Sequence, residues 1–368
     1  MRQQALLALL ATFPLVALAQ DAAPASAPRV LFHDAHFHRT NYVQEGPSVA
    51  RVLELMGDRV GRVALTGIPL QQTWAHGNSG DDAPTYYLES DAPLYYYSFV
   101  DAVTATEYLK LDAPDRARFD PMIIGFNPAD MYAVDHVKRV LATYPGVFSG
   151  IGEFTIHKEF VSSKVAGEIA SLRNPALGRL LDFCAESGLV ALIHCDIDTP
   201  FAKNDELPAY ALQMRDLLLA HPGATVVWAH LGLGRVVHPY QPAAGARPGE
   251  RPPGHLDLVA RILERQELPN LHFDISWSEV AKYVVATPES TRATAELVNR
   301  FPTRFLFGTD SLAPQDEASY LSVYESYQPL WALLTPEARA AVTTGNYERL
   351  FDAARTRVRA WEAAHLGR

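Results

Sequence analysis

The sequence predicts a (β/α)8 TIM barrel with a long insertion between its second and third strands. Eight short apolar runs recur along the chain, mostly separated by helical patterns, as a parallel barrel requires. The 368 residues accommodate one such barrel of about 250 residues with insertions. Several runs also stop at a histidine, glutamate or aspartate, the position from which barrel strands present their chemistry.

The runs are Val30–His38, Arg62–Thr66, Met122–Phe126, Val147–Phe154, Leu189–His194, Thr225–His230, Leu271–Ile275 and Arg304–Asp310. Helical periodicity places helices at Ser48–Met56, Ala133–Tyr144, Pro175–Ser187, Leu207–Ala220, Leu256–Arg265, Thr291–Arg300 and Tyr320–Leu334, with two more within Pro336–Leu366. The interval Gly67–Pro121 is too long for an ordinary connection. It carries His76, the tyrosine clusters Tyr86–Tyr87 and Tyr95–Tyr97, and a helical piece near Ala102–Leu111; the aromatics argue against disorder, and a lid is one of the roles open to His76 and the tyrosines. A second insertion, Pro239–Gly254, is rich in Pro, Gly and Arg.

The N-terminus has the pattern of a secretory leader. Arg2 precedes an apolar stretch, Ala5–Leu18, that ends in the small-x-small site Ala17-Leu18-Ala19. That stretch is shorter than the ~20 residues of a membrane-spanning helix. The expected organisation is a signal peptide over 1–19, a linker over 20–28 and the barrel over 29–368. The mature protein would be exported, to a periplasm, with an N-terminus near Gln20 that mass spectrometry reads directly.

Composition narrows the function. Hydrophobic residues at 48% and charged residues at 20% exclude a disordered chain. With 32 Lys+Arg against 42 Asp+Glu, the net charge of −10 argues against a nucleic-acid binder. Two cysteines, Cys184 and Cys195, exclude a disulfide framework and a cysteine-only zinc site, and both are expected to be reduced.

The first run ends His33-Asp34-Ala35-His36-Phe37-His38, and strand alternation puts Asp34, His36 and His38 on one face. Two histidines so spaced can hold one ion from the same side. Glu153, His194, His230 and Asp310 stand at the ends of the fourth, fifth, sixth and eighth runs, where they converge on the C-terminal rim. Imidazole and carboxylate donors suit zinc-like ions, with manganese, iron and cobalt as alternatives.

This order of residues resembles the amidohydrolase superfamily. Asp34-Ala35-His36-Phe37-His38, Trp228-Ala229-His230-Leu231-Gly232, Gly308-Thr309-Asp310 and Gly345-Asn346-Tyr347-Glu348-Arg349-Leu350-Phe351 look like its amidohydrolase-related, or family 2, branch. The likeness spans about Val30 to Phe351. It implies a metal-dependent hydrolase of an ester, lactone, amide or related bond, with His36, His38, His194 and His230 as ligands. Asp310 would be both a ligand and the catalytic proton acceptor, and His230 a ligand or a group polarising the substrate. Glu153 resembles the strand-four glutamate of phosphotriesterase-related and TatD-like enzymes, which favours two ions over one. Two other readings share these residues: a metal-dependent decarboxylase, and an exported metal-binding protein without turnover. His157, Lys158, Arg235, Ser276 and Trp277 are further candidates for the pocket wall; His33, His136, His221, His238, His255, His272 and His365 are read as structural or surface residues.

Overall fold

The structure is a computed structural model that describes residues 30–41, 44–69, 73–74, 88–89, 98–158, 171–197, 208–234 and 254–367. The expected leader 1–19 and linker 20–28, His76, the two tyrosine clusters, Arg235 and His238 lie outside the described residues.

Eight strands run in parallel: β1 (Phe32–His38), β2 (Val60–Thr66), β3 (Phe119–Ile123), β4 (Gly150–His157), β5 (Val190–Cys195), β6 (Thr225–Trp228), β7 (Leu271–Ile275) and β8 (Phe305–Phe307). Each pairs with the next in that order. A ninth short piece, Ser311–Leu312, pairs with the free side of β1. Only Gly308, Thr309 and Asp310 separate it from β8, so the two ends of the sheet are halves of one interrupted strand. Asp310 N donates to His36 O at 2.7 Å and Ala313 N to His38 O at 2.8 Å, while Gly308 N donates back to Ile275 O of β7. The eighth run thus bonds to β7 below the break and to β1 above it, which closes the barrel.

Strands covered on both faces read as continuous apolar runs, and β5, Val-Ala-Leu-Ile-His-Cys, is buried throughout. Helices start and stop on local signals. Asn174 accepts from Ala176 N at the start of the helix Pro175–Ser187, and Gly188 ends it with φ 88°, a conformation that favours glycine. Cys184 and Cys195 are buried and unbridged. No helix of the described residues is long and apolar enough to cross a membrane.

The inward faces of the strands form their own core of Ala35, Ala64, Met122, Leu192, Val227 and Leu306. From the N-terminal mouth it is met by Tyr347, Leu350, Phe351 and Ala354 of the last helix, Asn346–His365. That helix is also clamped to the rim. Asp120 of β3, fully buried, accepts from Arg355 Nε at 2.6 Å, Arg62 Nη2 at 2.9 Å and Tyr347 Oη–H at 2.8 Å. The C-terminal helix therefore stoppers one mouth and leaves the other for chemistry.

Only β7 keeps its expected bounds; β6 and β8 stop before His230 and Asp310, and β3 and β4 are displaced by three residues at both ends. β3 begins three residues before Met122, because Pro121 stays in the ladder through its carbonyl, which accepts from Ser149 N at 2.9 Å. β4 starts at Gly150 rather than Val147 and continues through Thr155 and His157, which pair with His194 and Cys195 of β5.

Candidate metal centre

The predicted ligands lie on barrel strands or just past them: His36 and His38 on β1, Glu153 midway along β4, which runs on past the expected end at Phe154, His194 on β5, His230 just after β6, and Asp310 in the break after β8. All are buried except Asp310, which is partly exposed. His36 Nε2 and His38 Nε2 are 3.1 Å apart. Asp310 Oδ1 lies 3.4 Å from the first and 3.1 Å from the second. Glu153 stands between two histidine pairs. Its Oε2 is 3.7 Å from His36 Nε2 and 3.4 Å from His38 Nε2; its Oε1 is 3.2 Å from His230 Nε2 and 2.6 Å from His194 Nδ1. One ligand atom each from His36, Glu153, His230 and Asp310 falls within 4.8 Å of all the others.

The hydrogen bonds behind the rings fix their tautomers. His36 Nδ1 meets Asp274 Oδ2 at 2.9 Å, and His38 Nδ1 meets Gly67 O at 3.2 Å. Both partners only accept, so both Nδ1 atoms carry the proton. His230 Nδ1 lies 2.8 Å from Ser276 Oγ, whose own proton is given to Asp274 Oδ1 at 2.5 Å, so it too donates. Three imidazoles, each donating through Nδ1 behind, thus aim Nε2 at the two carboxylates, the orientation that supporting acceptors give to metal-binding histidines. His194 enters differently. It faces Glu153 through Nδ1, while its Nε2 lies 3.4 Å from Asp196 Oδ1.

The electrostatics set burial against close opposite charges. Burial opposes ionisation of Glu153, but His194, Lys158 and His36 outweigh it and hold the carboxyl well below the usual range. Burial likewise opposes the Asp310 charge, yet His36, His38 and His230 bring its pKa down to about 2. Burial disfavours protonated His36, but Asp274, Asp310 and Glu153 raise it well above an ordinary histidine. The buried donors hold protons between carboxylates and imidazoles; a divalent ion would replace those protons on the same atoms.

The backbone is bent to make this arrangement. His230, Leu231 and Asp310 have φ of 57°, 58° and 51°, left-handed values that cost non-glycine residues about 1–3 kcal/mol each. Hydrogen bonds hold the bends: His230 N donates to Asp274 Oδ1 at 2.7 Å, and Asp310 N to His36 O.

Two features depart from the sequence reading. Asp34 does not share a face with His36 and His38, because β1 shifts register on either side of it. Its Oδ2 accepts from Thr309 Oγ1–H at 2.6 Å and Tyr320 Oη–H at 3.0 Å, and its Oδ1 from Thr309 N and His36 N, so it ties β1 to the eighth-strand break. Asp274 was not singled out, although it supports His36, Ser276 and the His230 backbone at once. A lone acid inside the apolar run Leu271–Ile275 was the available signal, since a buried carboxylate needs partners. Asp274→Ala is expected to weaken zinc affinity by roughly 10–100-fold, the usual cost of removing such support. Competition with a chromophoric chelator measures it, and unchanged affinity in a folded variant would contradict the assignment.

Among the other candidates, the Trp277 ring lies 5.1 Å from that of His230, and Lys158 Nζ is 5.8 Å from the Trp277 ring centre. His157 stacks on Tyr210 at 3.8 Å. His33 and His255 are structural, bonded to Glu348 Oε1 and Leu231 O.

No curated protein sequence matches the chain. Among solved structures, dihydroorotase from Campylobacter jejuni aligns at a TM-score of 0.50 with 13% identity, over 87% of this chain and 83% of that one. A probable 2-pyrone-4,6-dicarboxylic acid hydrolase from Acinetobacter baumannii, with citric acid bound, aligns at 0.51 with 12% identity, over 88% and 100%. At these identities the likeness establishes a common fold. A sequence profile of the amidohydrolase family matches residues 33–353, from the first barrel strand into the closing helix, and the chain belongs to that family.

Proposed function

We propose that the protein is an exported, divalent-metal-dependent hydrolase that cleaves an ester, lactone or amide bond of a small molecule. The observation that carries this reading is the convergence of three Nδ1-anchored imidazoles on Glu153 and Asp310. His36, His38, Glu153, His194, His230 and Asp310 would hold one or two divalent ions, with His36, Glu153, His230 and Asp310 the set whose ligand atoms lie nearest one another. A bound ion supplies hydroxide near neutral pH by lowering the pKa of water toward ~7, and it polarises a carbonyl. Asp310, partly open to the barrel mouth, accepts the proton of the attacking water and delivers it to the leaving group. Export rests on the leader pattern of residues 1–19 alone.

The test is to strip the purified protein with a chelator and reload it with zinc, manganese or cobalt. A panel of esters, lactones, amides and carboxylic acids is then assayed at each metal content. Hydrolysis rising in step with bound metal is expected. Carbon dioxide release without hydrolysis would replace this reading with a decarboxylase, and tight metal binding without any turnover would leave a binding protein.

A further inference from the structure

We propose that Val100 is a positioning residue for His38: it braces Gly67, whose carbonyl holds the His38 ring, so that a helix in the interval between β2 and β3 governs how firmly the centre grips a metal ion. The inference rests on the reading of His38 as a metal ligand and adds to it a residue that never touches the ion.

The Gly67 carbonyl accepts from His38 Nδ1–H at 3.2 Å and from the Thr66 hydroxyl at 3.3 Å. On the other side of the ring, His38 Nε2 faces Asp310 Oδ1 at 3.1 Å and Glu153 Oε2 at 3.4 Å. Those two carboxylates compete for the ring proton. The carbonyl keeps that proton on Nδ1, which leaves Nε2 for a cation. The place of the carbonyl is set by what packs on Gly67. A methyl group at this position would run into Val100 Cγ2 and come 3.3 Å from Thr40 Oγ1, so glycine alone fits between them. Val100 is buried, and a β-branched side chain in a helix has one strongly preferred rotamer, so the brace is stiff.

The helix that carries Val100, Val100–Tyr108, is fastened on both sides of β2. Toward β3, the buried Asp101 carboxylate accepts from Ile124 N at 3.0 Å and Gly125 N at 2.8 Å. Toward β1, Thr104 Oγ1 and Glu107 Oε2 accept from the buried guanidinium of Arg39, the residue after His38, at 3.3 and 3.4 Å. Glu107 Oε2 also accepts from Val49 N at 2.8 Å. None of these bonds involves the Val100 side chain, so shortening it removes the brace without unseating the helix. The chain on either side of Gly67 is pinned as well: Arg39 N donates to Thr66 O at 2.7 Å and Ile68 N to Thr40 Oγ1 at 2.7 Å. With both flanks held, a push on Gly67 is taken up by tilting its carbonyl away from His38.

The experiment measures zinc affinity of the full chain by chelator competition, and metal-free stability by urea unfolding, in Gly67→Ala, Val100→Ala and the double variant. Gly67→Ala is expected to weaken zinc binding by roughly 10–100-fold, the range for losing the partner of a ligating histidine. Val100→Ala should weaken it less, because the brace goes slack but nothing is driven apart. In the double variant the added methyl stands 3.4 Å from Val100 Cβ, an ordinary contact, so the two losses should cancel and affinity return close to the parental value. Visible bands of the cobalt-loaded proteins should be altered in Gly67→Ala and parental in the double variant. Single variants with parental zinc affinity, whatever their urea stability, show a packing role only and overturn the inference. Unaltered cobalt bands in Gly67→Ala, or a double variant no tighter than Val100→Ala, overturn it too. Should Gly67→Ala not fold, the comparison of Val100→Ala with the parent and the double variant decides by the same criterion. A parent protein that takes up neither zinc nor cobalt overturns the ligand reading of His38 and this inference with it, whereas a parent that binds metal beside variants that match it overturns this inference alone.

Discussion

Asp310→Asn is expected to reduce hydrolytic turnover by roughly 10²–10⁴-fold, the range contributed by a positioned acid–base group. The amide keeps an oxygen toward His36 and His38 but takes no proton at neutral pH. The neighbouring carboxylate Glu153 and the three anchored imidazoles remain, so metal content should fall far less than activity. The backbone bend is also preserved, because Asp310 N, not its side chain, makes the 2.7 Å bond to His36 O. His36→Ala is the contrasting change, since it removes an Nε2 donor and leaves Asp274 without one of its partners. Metal and activity should disappear together in that variant. Metal stoichiometry and turnover on the same samples separate the two cases. A fully metallated Asp310→Asn with near-parental activity would refute the proton-accepting role.

Asp120→Ala is expected to cost about 3–5 kcal/mol of folding stability, the usual penalty for removing one member of a buried ion pair. Two guanidinium groups and a phenol converge on this carboxylate, and its loss leaves Arg62 and Arg355 facing each other across a cavity. Against a typical total of about 5–15 kcal/mol, that is a large fraction. Urea unfolding of the metal-free protein measures it. The residue belongs to the mouth opposite the metal ligands, so zinc affinity of the folded fraction should stay at the parental value. A loss below about 1 kcal/mol would mean that the helix is held by its apolar face alone.

The parts of this molecule that the sequence makes legible are those with a local cause. His36, His38, Glu153, His194, His230 and Asp310 stand out because an apolar run stops at each, and parallel strands bring their ends together. Pro175 and Gly188 mark their helix for equally local reasons. What escapes the sequence depends on distant partners. Asp274 looks like an interruption of a strand until His36, 238 positions away, is seen against it. Asp120 falls outside the expected third strand because its compensation comes from Arg62 and from a helix near the C-terminus. Asp34 reverses its face because a register shift in β1 overrides simple alternation. The orientation of His194, with Nδ1 toward Glu153, depends on side-chain torsions that spacing does not encode.

The interrupted eighth strand ties the site to the order in which the chain is made. Asp34 and Thr309, 275 positions apart, must meet before β1 gains its second neighbour, and contacts so far apart in sequence form slowly. Until then β1 has an unmet edge, and His36 and His38 lack the aspartate that faces them. A chain cut before the eighth strand carries five of the six predicted ligands and lacks Asp310, and only the completed ring of strands sets that aspartate against His36 and His38.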